Sequence, residues 1–504
     1  MTQTIADLLA PWPEDRPALL APEQAPLSFG ALRRQDAALG AWLNERGIGR
    51  NDRLAIVLPN GPAMAAAFVG LAGAATTAPL NPAYREEEFD FYLGDLEARA
   101  LVIAADLASP AREVAARRGI PILELAPAPG AGAFALSGGT PGARPALAGP
   151  AEPGDIALVL HTSGTTSRPK MVPLTHRNLV ASARHIGGTL GLGPADRCLN
   201  IMPLFHIHGL IGCVASSLAA GGSIYCSPGF NALRFFSWLA EAGATWYSAV
   251  PTMHQAILAR GERNREIVAG NPLRFIRSSS ASLPPQVMAA LEALFGCPVI
   301  ESYGMTEATH QMTSNPLPPA ARKPGSVGRA AGPEVAIMDE AGRLLPAGTI
   351  GEIVIRGPNV TPGYHANPAA NESAFAHGWF HTGDQGWLDD EGYLTITGRI
   401  KELINRGGEK ISPREVDEVL LDHPAVAQAV TFALPHDKLG EDVAAAIVLR
   451  EGASAEEREL RDFAAKRLAD FKVPRKIVFL AEIPKGATGK LQRIGLAAKL
   501  GLSA

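Results

Sequence analysis

The apolar positions of this chain change rhythm along its length, and each rhythm predicts a different kind of element. Ile156-Ala157-Leu158-Val159-Leu160 is an unbroken apolar run, which predicts a buried strand rather than a half-exposed one. Residues 26–104 alternate helical patterns with short apolar runs such as Arg53-Leu54-Ala55-Ile56-Val57-Leu58, and a similar alternation returns from 155 to about 310. That layering predicts an α/β fold built on a largely parallel sheet. Beyond 310 the chain turns to short β-like runs bounded by turn residues, such as Gly351-Glu352-Ile353-Val354-Ile355-Arg356-Gly357, which predicts a smaller β-rich subdomain. The last hundred or so residues read as a compact α+β unit, with apolar strands at 444–449 and 476–480 and an amphipathic helix near 455–468.

Two segments interrupt these patterns. Residues 126–150 are dominated by Ala, Gly and Pro, a composition that cannot build a core and predicts a surface excursion. Thr397-Gly398-Arg399-Ile400-Lys401-Glu402 is charged and lies ahead of the last unit, so it predicts a hinge. The expected division is a large N-terminal domain of layered α/β subdomains plus the β-rich subdomain over 1–399, and a small mobile α+β domain over 400–504. No internal repeat is visible.

Composition narrows the classes. A chain of 504 residues exceeds one ordinary core, so two or more domains are expected. Its net charge of -4 offers no footprint for nucleic acid or an anionic membrane. Cys198, Cys213, Cys226 and Cys297 have neither paired metal-ligand spacing nor the density of a disulfide scaffold. The N-terminus has no basic leader, no stretch reaches the length of a membrane span, and the final Gly501-Leu502-Ser503-Ala504 is not a Ser-Lys-Leu address. A cytoplasmic protein is expected, and nothing in the chain fixes its oligomeric state.

The candidate chemistry begins where the buried run ends. His161-Thr162-Ser163-Gly164-Thr165-Thr166-Ser167-Arg168-Pro169-Lys170 packs hydroxyls, a glycine and two cations into ten residues, and Thr175-His176 then opens a helix. Small hydroxylated residues around a glycine leave backbone N–H groups able to wrap anionic oxygens, and Lys170 adds charge. The loop is not a Walker P-loop: the second-glycine position holds Pro169, and Met171 follows Lys170. An unliganded Ser/Thr-rich turn is the alternative for the loop taken alone.

Four further segments join it: Tyr303-Gly304-Met305-Thr306-Glu307, behind the strand-like Pro298-Val299-Ile300; Trp379-Phe380-His381-Thr382-Gly383-Asp384; Gly398-Arg399-Ile400-Lys401-Glu402-Leu403-Ile404 running on to Gly407-Gly408-Glu409-Lys410-Ile411-Ser412-Pro413; and Pro484-Lys485-Gly486-Ala487-Thr488-Gly489-Lys490. Each alone reads as an ordinary turn or solvated charge. In this order, over essentially the whole chain, they resemble the acyl-activating, adenylate-forming enzymes.

That resemblance implies a large N-terminal domain, a mobile C-terminal domain, and ATP, Mg²⁺ and coenzyme A as the small molecules handled. It implies that Thr162, Ser163, Gly164, Thr165, Thr166 and Lys170 hold the β- and γ-phosphates, and that Glu307 binds Mg²⁺. Thr306 contacts the α-phosphate, Tyr303 stacks on adenine, Asp384 and Arg399 serve the ribose, and Ser282 and Gly304 belong to the same nucleotide set. Lys490 bridges carboxylate and α-phosphate during adenylation and must then leave, with Lys401 at the hinge and the bare backbone of Gly407-Gly408 lining a pantetheine tunnel. His206 joins the catalytic set as a gate between the acyl and CoA halves.

The acid pocket departs from the apolar lining of fatty- and aromatic-acid members. Met202-Pro203-Leu204-Phe205-His206-Ile207-His208-Gly209, Ser278-Ser279-Ser280-Ala281-Ser282-Leu283 and Thr306-Glu307-Ala308-Thr309-His310 are the segments the family places around the acyl group. His208, Ser280 and His310 bring polar groups that can hold a second carboxylate, with the serine register open by one position and a satisfied buried histidine as the alternative for either imidazole. The Ala308-Thr309-His310 continuation resembles the oxalate–CoA ligase branch, which implies a small carboxylic acid, oxalate first. A ligase for malonate or another small acid, or an adenylating enzyme loading a carrier protein, stays open. A metal-dependent hydrolase with His206 and His208 on one strand face is the reading from another class.

Overall fold

The computed structural model describes residues 3–162, 169–484 and 493–502. They fall into two compact units. One comprises Met1–Gly164, Arg168–Val335 and Ile355–Phe380, and the other chiefly Ala336–Val354 and His381–Ala504.

The first unit is layered α/β. Its larger sheet has nine strands, and the central six, Val299–Met305, Phe275–Ser278, Trp246–Ala249, Arg197–Asn200, Ser223–Cys226 and Pro17–Ala21, run parallel. Antiparallel strands close both edges, His310–Ser314 beside Val299–Met305 and Gln24–Ser28 beside Pro17–Ala21. A buried layer of Leu199, Phe235, Tyr247, Ile276, Leu291 and Val299 covers one face. Burying each such side chain contributes about 1.5–3 kcal/mol, so this sheet is a stiff platform.

The second sheet of this unit has seven strands and carries the unbroken apolar run, which is the strand Ile156–Thr162. That strand does not pass through a loop straight into a helix. It turns back as Lys170–Thr175, and the two strands pair antiparallel with Thr162 opposite Lys170. The helix His176–Thr189 follows, as expected. Thr175 caps it, its Oγ1 accepting from the Asn178 N–H at 3.2 Å while Asn178 Oδ1 accepts from the Thr175 N–H at 2.9 Å. A reciprocal cap of this kind contributes about 1 kcal/mol.

The Ala/Gly/Pro-rich stretch is not wholly a surface excursion. Phe134–Gly138 forms an edge strand of the seven-stranded sheet, paired antiparallel with Ile122–Pro127, and Ala131 and Phe134 are buried. Poor core-forming composition does not stop an edge strand, because backbone pairing on one side and one anchoring aromatic suffice.

The β-rich segment forms a four-stranded sheet in the order Glu334–Met338, Gly351–Arg356, Phe380–Leu388, Leu394–Arg399. In the C-terminal part of the second unit, the long antiparallel pair Val426–His436 and Gly440–Leu449 is joined by Ile404–Arg406, Glu409–Ile411 and the parallel strand Lys476–Phe479. Helices Pro413–Leu421 and Glu457–Ala465 pack on it through Val416, Leu420, Leu460 and Ala464. No helix among the described residues is long and apolar enough to cross a membrane.

Candidate active site

The residues expected to line an acid pocket converge at the antiparallel edge of the nine-stranded sheet. Ser248 and Arg277 are register partners on adjacent parallel strands, so their side chains stand together on one face. Over that face lies His208, the first residue of a π-helix, His208–Ala215. Its Nδ1 is 3.1 Å from Ser280 Oγ and its Nε2 is 2.6 Å from Ser248 Oγ. The ring stacks on His310, with centroids 4.8 Å apart and planes 24° from parallel. His208 and His310 are each about 1 % exposed, so this is a buried polar cluster and not a rim.

Because His208 opens a helix, it and His206 do not share a strand face, and the two-ligand strand geometry of the hydrolase reading fails. Among the described residues no three His, Cys, Asp or Glu side chains gather as a metal site. π-helical turns inside helical segments occur often at functional sites, because the extra residue re-aims a side chain. His206 lies just before this turn, half-buried, with its carbonyl accepting from the Leu210 N–H at 3.0 Å.

The backbone that presents these groups is strained. Ser280, Thr309 and His310 hold φ of 73°, 50° and 91°, a region costing roughly 1–3 kcal/mol for residues with side chains. Such strain persists only when neighbours over-determine it. Ser182 Oγ donates to the Thr309 carbonyl at 2.5 Å and Thr309 Oγ1 donates to the Asn359 carbonyl at 2.7 Å. Asn359 Nδ2 in turn donates to the carbonyls of Ala308 and Gln311. Gly304 completes the fit, since a Cβ there would fall 1.6 Å from the His310 carbonyl oxygen.

Of the serine run, Ser280 is the residue that reaches His208. Ser279 Oγ donates to the Ser302 carbonyl instead, and Ser278 is buried. Ser282, half-buried, stands outside this contact.

The residues expected at the nucleotide occupy neighbouring ends. Tyr303 and Gly304 lie on Val299–Met305, and Thr306 and Glu307 on the short 3₁₀ turn that follows. Glu307 is buried, and Tyr364 Oη donates to its Oε1 at 2.9 Å. Lys170 Nζ sits 4.4 Å above the centre of the same Tyr364 ring. The lysine and the carboxylate are thus tied through one phenol that the sequence motifs do not mark. Ser163, Gly164, Thr165 and Thr166, like Lys490, lie outside the described residues.

In the second unit, Asp384 and Arg399 face one another across adjacent antiparallel strands, with Arg399 Nε donating to Asp384 Oδ1 at 2.9 Å. Lys401 is exposed on the 3₁₀ turn Ile400–Glu402. Gly407 and Gly408 form the two-residue hairpin between Ile404–Arg406 and Glu409–Ile411, both with positive φ, the geometry that a tight antiparallel turn demands.

Arg277, Gln311 and Ser248 were not expected at the site. A cation interrupting the apolar strand Phe275-Ile276-Arg277 was the available signal for the first of them.

Residues 8–365 match the model of the AMP-binding enzyme family, and residues 415–490 match the AMP-binding enzyme C-terminal domain. An oxalate–CoA ligase from Arabidopsis thaliana is 45% identical over 466 residues, covering 91% of this chain and 90% of that protein. A sulfoacetate–CoA ligase from Cupriavidus necator is 38% identical over 495 residues, covering 98% and 96%. The crystal structure of ATP-bound MatB from Rhodopseudomonas palustris superposes with a TM-score of 0.88 at 29% identity, covering 99% of each chain. Matches of this length, reaching through both compact units, place the chain in the AMP-binding family: it is an AMP-forming acid–CoA ligase of the adenylate-forming superfamily, using ATP and coenzyme A.

Proposed function

We propose that the acid is oxalate, joined to coenzyme A through an oxalyl-adenylate. The observation that carries this reading is the buried, stacked His208–His310 pair with Ser280 Oγ beside it. These groups are partnered within the protein, and a lining this polar suits a compact charged acid better than an apolar acyl chain.

The chemistry needs positioning more than acid–base work, because an anionic carboxylate must attack an anionic α-phosphate. One carboxylate oxygen of the acid forms a bond to the α-phosphorus, and the bond to the pyrophosphate oxygen breaks. The thiolate of coenzyme A, formed by loss of the thiol proton, then attacks the acyl carbon, and AMP leaves with the former carboxylate oxygen. In this scheme Thr162, Lys170 and the loop between them hold the outer phosphates, Thr306 the α-phosphate, Tyr303 the adenine and Asp384 with Arg399 the ribose. Gly304 and Ser282 line the nucleotide, and Lys490 supplies the cation at the reacting phosphate. A division after Arg399 lets Lys401 act as hinge and brings Gly407-Gly408 to the pantetheine, with His206 as the gate.

Glu307, a buried carboxylate steadied by Tyr364, fits Mg²⁺, which takes one or two carboxylates together with phosphate oxygens. Bound there, the ion would neutralise phosphate charge.

Sulfoacetate is a second reading, favoured by the Cupriavidus necator relative, since a sulfonate is also a compact anion. Malonate differs from oxalate by one methylene, a difference worth about 1–3 kcal/mol in a pocket. AMP release with ATP, Mg²⁺ and coenzyme A should be measured across oxalate, malonate, sulfoacetate, acetate, a medium-chain fatty acid and 4-coumarate. Oxalate is expected to lead. A preference for an apolar acid overturns the second-carboxylate reading, and adenylate formation without turnover of free coenzyme A points to a carrier-protein thiol. Lys490→Ala should abolish adenylation and spare thioester formation from preformed adenylate; loss of both halves removes its assigned role.

A further inference from the structure

Behind the two imidazoles stands a cation that, among the described residues, is paired with no carboxylate. Arg277 is fully buried on the strand Phe275–Ser278. Its guanidinium donates from Nη1 to His310 Nε2 at 2.8 Å and from Nη2 to Gln311 Oε1 at 3.1 Å. Among the described residues its Nε has no hydrogen-bond partner. Its side chain shares a face with Ser248, and the thiols of Cys198 and Cys213 also act on its charge. Burial pushes the guanidinium down to about 10, so it keeps its charge at neutral pH.

Two consequences follow from elementary chemistry. A guanidinium has donors only, so His310 Nε2 must accept, and the imidazole proton therefore resides on Nδ1. A buried charge without an opposite charge is expensive, and an apolar side chain of similar size would cost less. Retention of the charge is explained if an anion arrives from outside the chain.

We infer that Arg277 is a positioning and specificity residue for the second carboxylate: acting through His310, it holds that imidazole as a neutral donor and supplies the positive field that a dicarboxylate substrate completes. The inference rests on the second-carboxylate reading above. It adds that selection between a dianion and a monoanion originates one layer behind the contact residues. Gln311 is the companion of this arrangement. Its Oε1 takes the second guanidinium donor, while its Nε2 donates to Thr189 Oγ1 and the Ala331 carbonyl, so the acceptor end is fixed toward Arg277.

The test uses the full-length enzyme and steady-state AMP release. Arg277→Met removes charge and donor together and is expected to raise the KM for oxalate at least 30-fold, with the KM for ATP within twofold and the thermal midpoint unchanged or higher. Gln311→Glu keeps the arginine and gives it an internal carboxylate. It is expected to raise the KM for oxalate at least tenfold, again with the KM for ATP within twofold. A purely structural arginine would gain from that new partner and leave oxalate use intact. An oxalate KM within twofold of the parent, in either variant that folds, overturns the inference and leaves the oxalate reading standing. A parent enzyme that releases no AMP with oxalate overturns the underlying reading before any variant is compared.

Discussion

Arg277 and Arg493 are both arginines withdrawn from solvent, and they are used in opposite ways. Arg493, in the C-terminal unit, is about 22% exposed and carries its own anions: Asp417 Oδ2 at 2.5 Å and Glu402 Oε2 at 3.3 Å. Burial works against its charge, but Asp417 beside it outweighs that and lifts its pKa above the usual guanidinium value. Arg277 has an imidazole, an amide and thiols instead. One cation is satisfied by the fold and ties a helix to the segment beyond it. The other is left for a ligand to satisfy. Burial alone therefore does not separate a structural charge from a functional one; the ownership of the counter-charge does.

The contrast can be broken most forcefully at His310. If Arg277 acts through that ring, His310→Ala should lower kcat/KM for oxalate by roughly 100-fold, the scale of one hydrogen bond to a charged group, and leave ATP binding within twofold. Equal losses for every acid would make the histidine merely structural. Arg493→Met should act on stability instead. Stranding the buried Asp417 carboxylate costs about 2–3 kcal/mol, somewhat below the value for a fully enclosed pair, and would appear as a lower urea midpoint. Gly212→Ala probes the imidazole stack from its other side. A Cβ there would meet His310 Nε2 at 2.8 Å and His208 Cδ2 at 3.1 Å, so a rise of about tenfold in the oxalate KM is expected, with little change for ATP.

The smallest effect concerns imidazoles that have no such cation. Burial lowers His254 to about 3 and His176 to about 4. His176 Nδ1 accepts from the Ile5 N–H at 3.1 Å and His254 Nδ1 lies 3.2 Å from Tyr247 Oη. The unfolded chain binds protons at these residues near pH 6.5, while the folded protein refuses them until far lower. Stability is thus present above pH 6.5 and declines as pH falls, by about 0.8 kcal/mol for each histidine between pH 7.5 and 6.0. Urea midpoints at the two values check it, and a flat profile would show that these rings are not neutral in the fold.

What the sequence reveals follows from how local each signal is. The strand at Ile156–Thr162 and the helix opened by Thr175 are written in contiguous residues, and both form as read. The return strand Lys170–Thr175 was missed because the loop's hydroxyls and cations dominate the pattern around it. His208, Ser280 and His310 could be named from motifs, but only the fold shows that Ser280 is the serine reaching His208. Arg277, Gln311, Ser248 and Tyr364 escaped because their partners are distant along the chain: Arg277 meets His310 across two strands, and Tyr364 reaches Glu307 from a separate turn. Apart from the cation that interrupts Phe275-Ile276-Arg277, nothing in the order of residues marks these side chains, whose roles are set by what packs beside them.

The positive φ at Thr309 and His310 has a consequence for how this enzyme could change its diet. A backbone held in that region admits glycine or asparagine easily and resists valine, isoleucine or threonine at position 310. Evolution, or a protein engineer, therefore meets an uneven road. Replacement by glycine relieves the strain and vacates an imidazole's volume in one step, which, on the role proposed for His310, opens room for a longer acid. Refilling the space with a branched apolar group is blocked by the main chain. Substrate range at this position should widen more readily than it can be re-narrowed.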